Sequence, residues 1–269
     1  MQHRYKTYLC HVANTQRYFI ELAYDGTKYH GWQVQQNAVS VQELLNKALS
    51  TLLRQPIETT GCGRTDTGVH AKEYFAHIDV ESIDHRPWTM DKRSLNALLP
   101  HDIAIKNIIA VYPEAHARFD ATLRSYEYHI HFEKYPFLHG YSWLLRDRPN
   151  LELMNQAAAI IMEYSDFSCF SKSNTQVKTN NCKIVKAKWE QTEKGIVFKI
   201  SADRFLRNMV RAIVGTLLSV GKGEMLPEGI HDIIQSKNRS KAGTSVPACG
   251  LYLTEIKYPY PLIGVGLDR

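Results

Sequence analysis

The chain has 269 residues and a formal net charge of +6, and 44% of its residues are hydrophobic and 22% charged. This composition is that of a globular protein and argues against extended disorder, while the length accommodates one large domain or two of ordinary size. No apolar run approaches the roughly 18–20 residues that cross a bilayer, and residues 1–16 lack the apolar segment of a secretory signal.

The cysteines and the charge narrow the class of protein further. The five cysteines are widely spaced and contain no CxxC pair, which fits neither a disulfide framework nor a zinc site. We therefore expect reduced thiols in a cytoplasmic protein. The modest basic excess is compatible with a polyanionic partner but does not identify one.

The first half of the chain is predicted to contain three strands and two helices. Ser40 and Glu43 form a capping box ahead of apolar residues at helical spacing, and Pro100 ends a second, shorter helix. In chain order, the elements are a strand at residues 17–23, a helix at 41–52, a strand at 74–80, a helix at 90–99 and a strand at 103–111.

The second half repeats this alternation of strands and helices. Its first strand, at residues 125–132, alternates clearly, with Tyr126 and Tyr128 on one face and Glu127 and His129 on the other. The predicted elements that follow are a helix at residues 151–164, strands at 183–191 and 195–202, helices at 205–220 and 227–235, and a strand at 250–257.

This order of elements predicts the fold. Each half follows a β-α-β-β-α-β-like order, the split βαβ pattern. We predict an α+β protein in which two ferredoxin-like halves are joined around a central mixed, largely antiparallel sheet with a cleft between them. Residues 1–16 are predicted to be a leader, residues 17–113 the N-terminal half, and residues 114–269 the C-terminal half.

The segment GCGRTDTGVHA, residues 61–71, is the first candidate for chemistry. Its closely spaced glycines suit a backbone that turns sharply and lets a partner approach. Arg64 and Asp66, two residues apart, could both project into a cleft. A plain structural turn, in which Asp66 caps or bonds its own backbone, fits the spacing as well.

Two further features in the second half could take part in binding. Arg204, Arg207 and Arg211 recur at intervals of three and four, which predicts a cationic face on the helix at 205–220. Such a face suits phosphate contact or an ion pair with a buried carboxylate, although a solvated helix face has the same spacing. Tyr126 could stack on a base or present its hydroxyl to one, although an aromatic residue on that strand face usually packs in the core.

Histidines offer a metal site as a third possibility. His129 and His131 lie with Glu127 and Glu133 along one strand face and could ligate a metal. Adjacent residues on the same face of one strand rarely complete a site alone, so this interpretation is the weaker one.

Several long motifs occur in a fixed order and resemble one known family. They are YDGTKYHGWQ at residues 24–33, GRTD with GVHA at 63–71, HARF at 116–119, RSYEY at 124–128, FLRNMVR at 205–211 and GLYL at 250–253. Together they resemble the tRNA pseudouridine synthase A family from about residue 17 to residue 259. Thr67 departs from the pattern, because the family most often has alanine there.

The resemblance implies an activity and a set of site residues. It implies conversion of uridine to pseudouridine at positions 38, 39 and 40 in the anticodon stem-loop of tRNAs, by a homodimer that uses no cofactor and no metal. Asp66 would be the catalytic aspartate, Tyr126 the tyrosine stacked on the target base, and Arg64 the arginine that helps to flip the base. The remaining residues would be Arg211 as the basic partner of the aspartate, Leu251 against the base, and Arg207 as a further substrate contact.

Two other functions remain open at this point. A metal-dependent RNA hydrolase would use Asp66 with His129 and His131 and would lose activity in chelator. A non-catalytic tRNA-binding module would bind tRNA equally well after Asp66→Ala and would show no chemistry in either form. A chemical readout is therefore needed to separate the three.

Overall fold

The computed structural model describes residues 15–81, 91–171 and 179–262. The strands in these residues are β1 (Thr15–Tyr24), β2 (Thr60–Gly61), β3 (His70–Glu81), β4 (Ile103–Val111), β5 (Leu123–His131), β6 (Trp143–Leu144), β7 (Ile184–Gln191), β8 (Gly195–Ala202) and β9 (Leu251–Lys257). The α-helices are α1 (Val41–Leu53), α2 (Lys92–Leu98), α3 (Leu151–Ile161), α4 (Met209–Gly221) and α5 (Gly229–Gln235).

All the strands in the described residues belong to one sheet, in the order β4-β1-β3-β9-β5-β8-β7, with β2 paired to β3 and β6 paired to β5. The C-terminal strands have the ferredoxin-like arrangement, in which the first and third strands of the half (β5 and β8) are central. The N-terminal strands β4, β1, β3 and the short β2 follow the same order. The predicted α+β class is confirmed.

A short parallel pairing joins the two halves of the sheet. His70 pairs with Tyr252 and Ala71 pairs with Leu253, between β3 and β9. Further along β3, on the same edge of the strand, His77 and Ala76 pair with β2. The pairing is at the start of both strands, so the segments that precede β3 and β9 meet at the centre of the sheet.

Two hydrophobic clusters form the core of the described residues. The C-terminal cluster contains Phe198 and Ile213, and the N-terminal cluster contains Phe19 and Leu45. Each cluster also takes apolar residues from the other half: Val69 packs in the C-terminal cluster, and Leu253 and Ile256 pack in the N-terminal one. The partly buried Tyr126 contacts both clusters, so it lies where the two halves meet.

The basic helix begins later than its apolar stripe predicts. α4 begins at Met209, because Asn208 adopts the left-handed conformation with φ +65° and interrupts the helical backbone. Arg204 and Arg207 therefore precede the helix, and the prediction that they share one helix face with Arg211 is wrong.

Other boundaries also differ from the sequence prediction. β3 begins at His70 rather than at residue 74, because its first two residues pair with β9. Of the predicted leader, residues 1–14 lie outside the described residues, and Thr15 and Gln16 belong to β1. The start of the second predicted helix, residue 90, also lies outside the described residues. The boundary between the halves at residues 113 and 114 stays a prediction.

A buried histidine of β3 holds the segment that connects the halves. The Nδ1 atom of His77 accepts a hydrogen bond from the backbone N–H of Ala117 at 3.2 Å, and the side chain is 7% exposed. Burial, reinforced by the positive charge of Arg17, lowers the pKa of His77 to about 4. The neutral imidazole is therefore the form that the fold accommodates.

This histidine should make the stability depend on pH. Since the pKa in the folded protein lies below the usual 6.5, the unfolded chain binds more protons between these values. The free energy of unfolding should therefore fall as the pH drops from about 6.5 to about 4, by up to about 3 kcal/mol from this site. Urea unfolding across this range should show a shallower fall for His77→Asn than for the wild type. Equal slopes for the two proteins would rule out His77 as a source of the pH dependence.

Candidate active site

The glycine-rich segment does form a turn, but its aspartate side chain points elsewhere. The backbone carbonyl of Asp66 accepts a hydrogen bond from the N–H of Val69 at 3.1 Å. Gly68 has a φ of +78° at the third position of this turn, where an L residue would be strained. The turn therefore explains the glycine, and the Asp66 side chain remains available for contacts outside the loop.

Two glycines of the opening motif let that segment pack directly on the loop. A Cβ atom on Gly31 would lie 2.2 Å from the carbonyl oxygen of Thr65, and one on Gly26 would lie 2.0 Å from the carbonyl oxygen of Val69. Both distances are far below van der Waals contact, and Gly31 also has a φ of +82°. The opening motif therefore packs against the loop backbone both before Asp66, at Thr65, and after it, at Val69.

Hydrogen bonds from the opening motif hold the loop in place as well. The N–H of Gly68 donates to the carbonyl oxygen of Tyr29 at 3.2 Å. The hydroxyls of Tyr24 and Thr65 lie 2.9 Å apart and share a hydrogen bond. The resemblance to a family motif in this segment thus has a structural explanation, because the motif supports the loop.

The carboxylate of Asp66 faces two arginines. Its Oδ2 atom lies 3.5 Å from Nη1 of Arg211, and its Oδ1 atom lies 3.9 Å from Nε of Arg207. The Arg211 side chain is 21% exposed and that of Asp66 is 25% exposed, whereas that of Arg207 is 62% exposed. Nε of Arg211 also donates to the carbonyl oxygen of Val246 at 2.7 Å. Arg211 is therefore the fixed partner and Arg207 the more mobile one.

Tyr126 lies on β5 within the electrostatic range of this ion pair. Its ring meets the ring of Phe205 edge-on, with centroids 5.1 Å apart and planes at 87°. Burial raises the pKa of the Tyr126 hydroxyl, and the positive charge of Arg124 opposes this shift while the negative charge of Asp66 adds to it. The hydroxyl is therefore protonated at neutral pH.

The other two residues implied by the resemblance lie apart from the ion pair. Arg64 is exposed and lines a polar cavity of about 160 Å³, together with Trp32, Gln42 and Arg118. Leu251 is 5% exposed, packs in the C-terminal cluster and pairs with Tyr128 across β5 and β9. The structure thus brings Asp66, Arg207 and Arg211 together, whereas no contact joins Arg64 or Leu251 to this group among the described residues.

Arg124 is a residue to which the sequence analysis assigned no role. Its Nη2 atom donates to the carbonyl oxygens of Cys62 at 2.8 Å and Arg118 at 2.7 Å, and its Nη1 atom donates to those of Asp203 at 3.0 Å and Ala121 at 3.3 Å. One guanidinium therefore ties the start of the glycine-rich loop to the segments on either side of it. No sequence pattern could reveal this, because the acceptors are backbone carbonyls.

Of the residues of the metal alternative, Glu127 and His129 contact each other, whereas Glu133 pairs with Arg148. Oε2 of Glu127 lies 3.1 Å from Nε2 of His129 and 2.9 Å from Nζ of Lys72. The hydrogen bond from His129, with that from Lys72, lowers the pKa of Glu127 to about 2. No group of three or more His, Cys, Asp and Glu side chains has metal-binding geometry in the described parts of the chain.

Two further findings concern the thiols and the helices. The cysteines within the described ranges are free thiols, and they are Cys62, Cys169, Cys182 and Cys249. Burial raises the pKa of the Cys62, Cys169 and Cys182 thiols to about 12, which makes these thiols unreactive.

Within residues 15–81, 91–171 and 179–262, no helix is long and apolar enough to cross a membrane.

Comparisons with known proteins identify the family of the chain. Residues 164–259 match a family model described as tRNA pseudouridine synthase. The tRNA pseudouridine synthase A of Bacteroides fragilis is 52% identical over 249 residues, which cover 91% of this chain and 98% of that protein. The protein of the same name from Bacteroides thetaiotaomicron is 53% identical over 247 residues, with 91% of each chain covered.

A more distant relative shows the same coverage. The tRNA pseudouridine synthase A of Clostridium acetobutylicum is 37% identical over 241 residues, which cover 89% of this chain and 98% of that protein. The resemblance that the motifs predicted is confirmed along nearly the whole chain. The chain therefore belongs to the tRNA pseudouridine synthase family.

Proposed function

We propose that this member of the family converts uridine to pseudouridine at positions 38, 39 and 40 in the anticodon stem-loop of tRNAs, with Asp66 as the catalytic carboxylate. The observation that supports this most directly is the pairing of Asp66 with Arg211 at the junction of the two halves. A carboxylate that is a quarter exposed can be reached by a substrate, and the fixed guanidinium beside it holds a positive charge next to its oxygens.

The reaction needs such a carboxylate. The bond from C1′ of the ribose to N1 of uracil breaks, and the uracil turns so that C1′ bonds to C5. The hydrogen of C5 then leaves as a proton and N1 takes up a proton, so the product is an isomer of uridine. The sugar is electron-poor after cleavage, so Asp66 either attacks C1′ or removes a proton from C2′. Arg211, held by the carbonyl oxygen of Val246, faces the carboxylate with its positive charge and orients it for either route.

Base flipping explains the residues around the ion pair. A base inside a stem becomes reachable only after it flips, at a cost of about a few kcal/mol. Tyr126 offsets part of this cost, since stacking on an aromatic ring contributes roughly 1–3 kcal/mol per base. The exposed Arg64 enters the space that the base leaves, and Arg207 binds a phosphate nearby. Leu251, with 5% exposure, presents only a small part of its side chain to the base.

The assembly and the cellular setting belong to the same proposal. By family resemblance, the protein acts as a homodimer in the cytoplasm and uses no cofactor and no metal. The free thiols of the described cysteines suit a reducing compartment. Sedimentation of the purified protein tests the dimer directly.

Replacement of Asp66 should abolish the chemistry. With tRNA tritiated at C5 of uridine, wild-type protein should release tritium to water, also in EDTA, whereas Asp66→Asn and Asp66→Ala should show at least about a thousandfold slower release, as expected for loss of a group that acts on the reacting atoms. The matched control is Asp79→Asn, which changes a carboxylate of β3 that pairs with Arg17 of β1. This variant should release tritium at a rate near that of the wild type.

Three results would contradict this proposal. Turnover by Asp66→Asn would remove Asp66 from the mechanism. Loss of wild-type activity in EDTA would favour the metal-dependent hydrolase. Binding of tRNA without tritium release by any form of the protein would favour the non-catalytic module.

The two arginines beside Asp66 should affect different kinetic constants. Arg211→Gln should lower kcat by about 10- to 100-fold, because it removes the positive charge that faces the reacting carboxylate. Arg207→Gln, at the more exposed and more distant side chain, should mainly raise KM and reduce its dependence on salt. The opposite assignment of kcat and KM effects would exchange the roles of the two residues.

Tyr126 variants should separate stacking from hydroxyl chemistry. Tyr126→Phe keeps the ring and should bind tRNA with wild-type affinity, so any fall in kcat would be due to the hydroxyl. Tyr126→Leu removes the aromatic face and should bind about 5- to 150-fold more weakly. Wild-type affinity in the Leu variant, measured by fluorescence anisotropy with labelled tRNA, would show that Tyr126 does not stack on the base.

A further inference from the structure

Phe119 is an apolar aromatic residue on the surface, in a basic environment. Its side chain is 74% exposed, although phenylalanine is among the residues most often buried. The guanidinium carbon of Arg118 lies 5.6 Å from the centroid of its ring. We name Phe119, Arg118, Arg64 and Arg204 the arginine–phenylalanine patch.

The turn that carries Phe119 is rigid. The N–H groups of Arg118 and Phe119 both donate to Nδ1 of His116, at 3.1 and 3.2 Å, and the N–H of His116 donates to Oδ2 of Asp120 at 2.7 Å. The imidazole of His116 also supports the ring of Phe119, with centroids 4.2 Å apart. Phe119 is therefore held outward by its surroundings rather than exposed on a loose loop.

The arginines of the patch lack an acidic partner. In the described part of the chain, no carboxylate lies within ion-pair distance of Arg64, Arg118 or Arg204. Burial, and then the positive charges of Arg64, Arg124 and Arg204, lower the pKa of Arg118. The guanidinium groups therefore repel one another, and an anion bound among them would relieve this repulsion.

The patch is continuous with the glycine-rich loop. Arg64 and Arg118 line the same polar cavity, whose wall also contains Gly61 and Gly63. Arg124 fixes this arrangement, because it bonds the carbonyl oxygens of both Cys62 and Arg118. Arg118 also contacts the ring of Phe119, so the exposed ring lies beside a cavity that the glycine-rich loop helps to form.

We propose that Phe119 is a stacking platform for a base of the tRNA strand that flanks the target uridine, and that Arg118 and Arg204 bind the phosphates of that strand. An aromatic ring that is open to solvent, with a guanidinium beside it and further arginines nearby, is a combination that binds single-stranded nucleic acid, because the ring stacks on a base and the cations bind the backbone. This inference rests on the proposed function, since it takes tRNA as the substrate.

Binding of labelled tRNA to the full-length protein tests the platform. Phe119→Ala and Phe119→Leu should each weaken binding about 5- to 150-fold, because neither side chain offers an aromatic face. Phe119→Trp should bind within about twofold of the wild type, and tRNA should quench the fluorescence of the new indole. Phe137→Ala is the matched control, since Phe137 is 81% exposed and lies outside the patch, and it should leave the affinity unchanged.

The phosphate contacts have a separate readout. Arg118→Gln should reduce the slope of log affinity against log salt concentration by about one, the value for one phosphate contact. An unchanged slope would overturn the role of Arg118. Because Phe119 is exposed, the melting temperatures of its variants should match the wild type, and this measurement separates lost binding from lost folding.

Several outcomes would overturn the platform itself. These are wild-type affinity in Phe119→Ala, equal affinities in the Leu and Trp variants, and a change of oligomeric state in Phe119→Ala by sedimentation, which would make the patch a contact between copies of the chain. Tritium release by the wild type tests the proposed function independently. A protein that binds tRNA through Phe119 but releases no tritium would retain the platform and lose the proposed activity.

Discussion

The parallel pairing of β3 with β9 is the contact on which the candidate active site depends. His70 and Ala71 of the N-terminal half pair there with Tyr252 and Leu253 of the C-terminal half. The glycine-rich loop ends where β3 begins, and the segment that contains Val246 leads into β9. The pairing therefore brings the loop of one half next to the helix of the other, and only then do Asp66 and Arg211 meet.

Backbone contacts complete what the pairing begins. The opening motif approaches the loop so closely that Gly26 and Gly31 leave no room for a side chain, and Arg124 bonds carbonyl oxygens of three segments around it. Such contacts depend on where the backbone of the contacted residue lies and not on which side chain that residue carries. The fold thus fixes the backbone of the candidate site before any substrate binds, as the proposed role of the Asp66 carboxylate requires.

The sequence could predict those features that burial determines. Alternation along β5 and the apolar stripe of α4 indicate buried faces, so the elements and the α+β class were predictable. The start of α4 was not, because the apolar Phe205 extends the stripe past the left-handed Asn208 where the helix begins. The role of Arg124 was not predictable either, because it donates hydrogen bonds to backbone carbonyl oxygens, which every residue has. The roles of Asp66 and Arg211 came from family resemblance, since the loop glycines alone also fit a plain turn.

The geometry of the Asp66 ion pair differs from that of a structural one. Both guanidinium contacts between Arg17 and Asp79 are 2.7 Å long and occupy both carboxylate oxygens, the bidentate form that favours stability. Asp66 lies 3.5 Å and 3.9 Å from its arginines, beyond normal hydrogen-bond length. At these distances the positive charges still act on the carboxylate without occupying its oxygens. This separation suits the proposed role of Asp66 at a ribose carbon, because a bidentate arginine would occupy both carboxylate oxygens and block the one that would react.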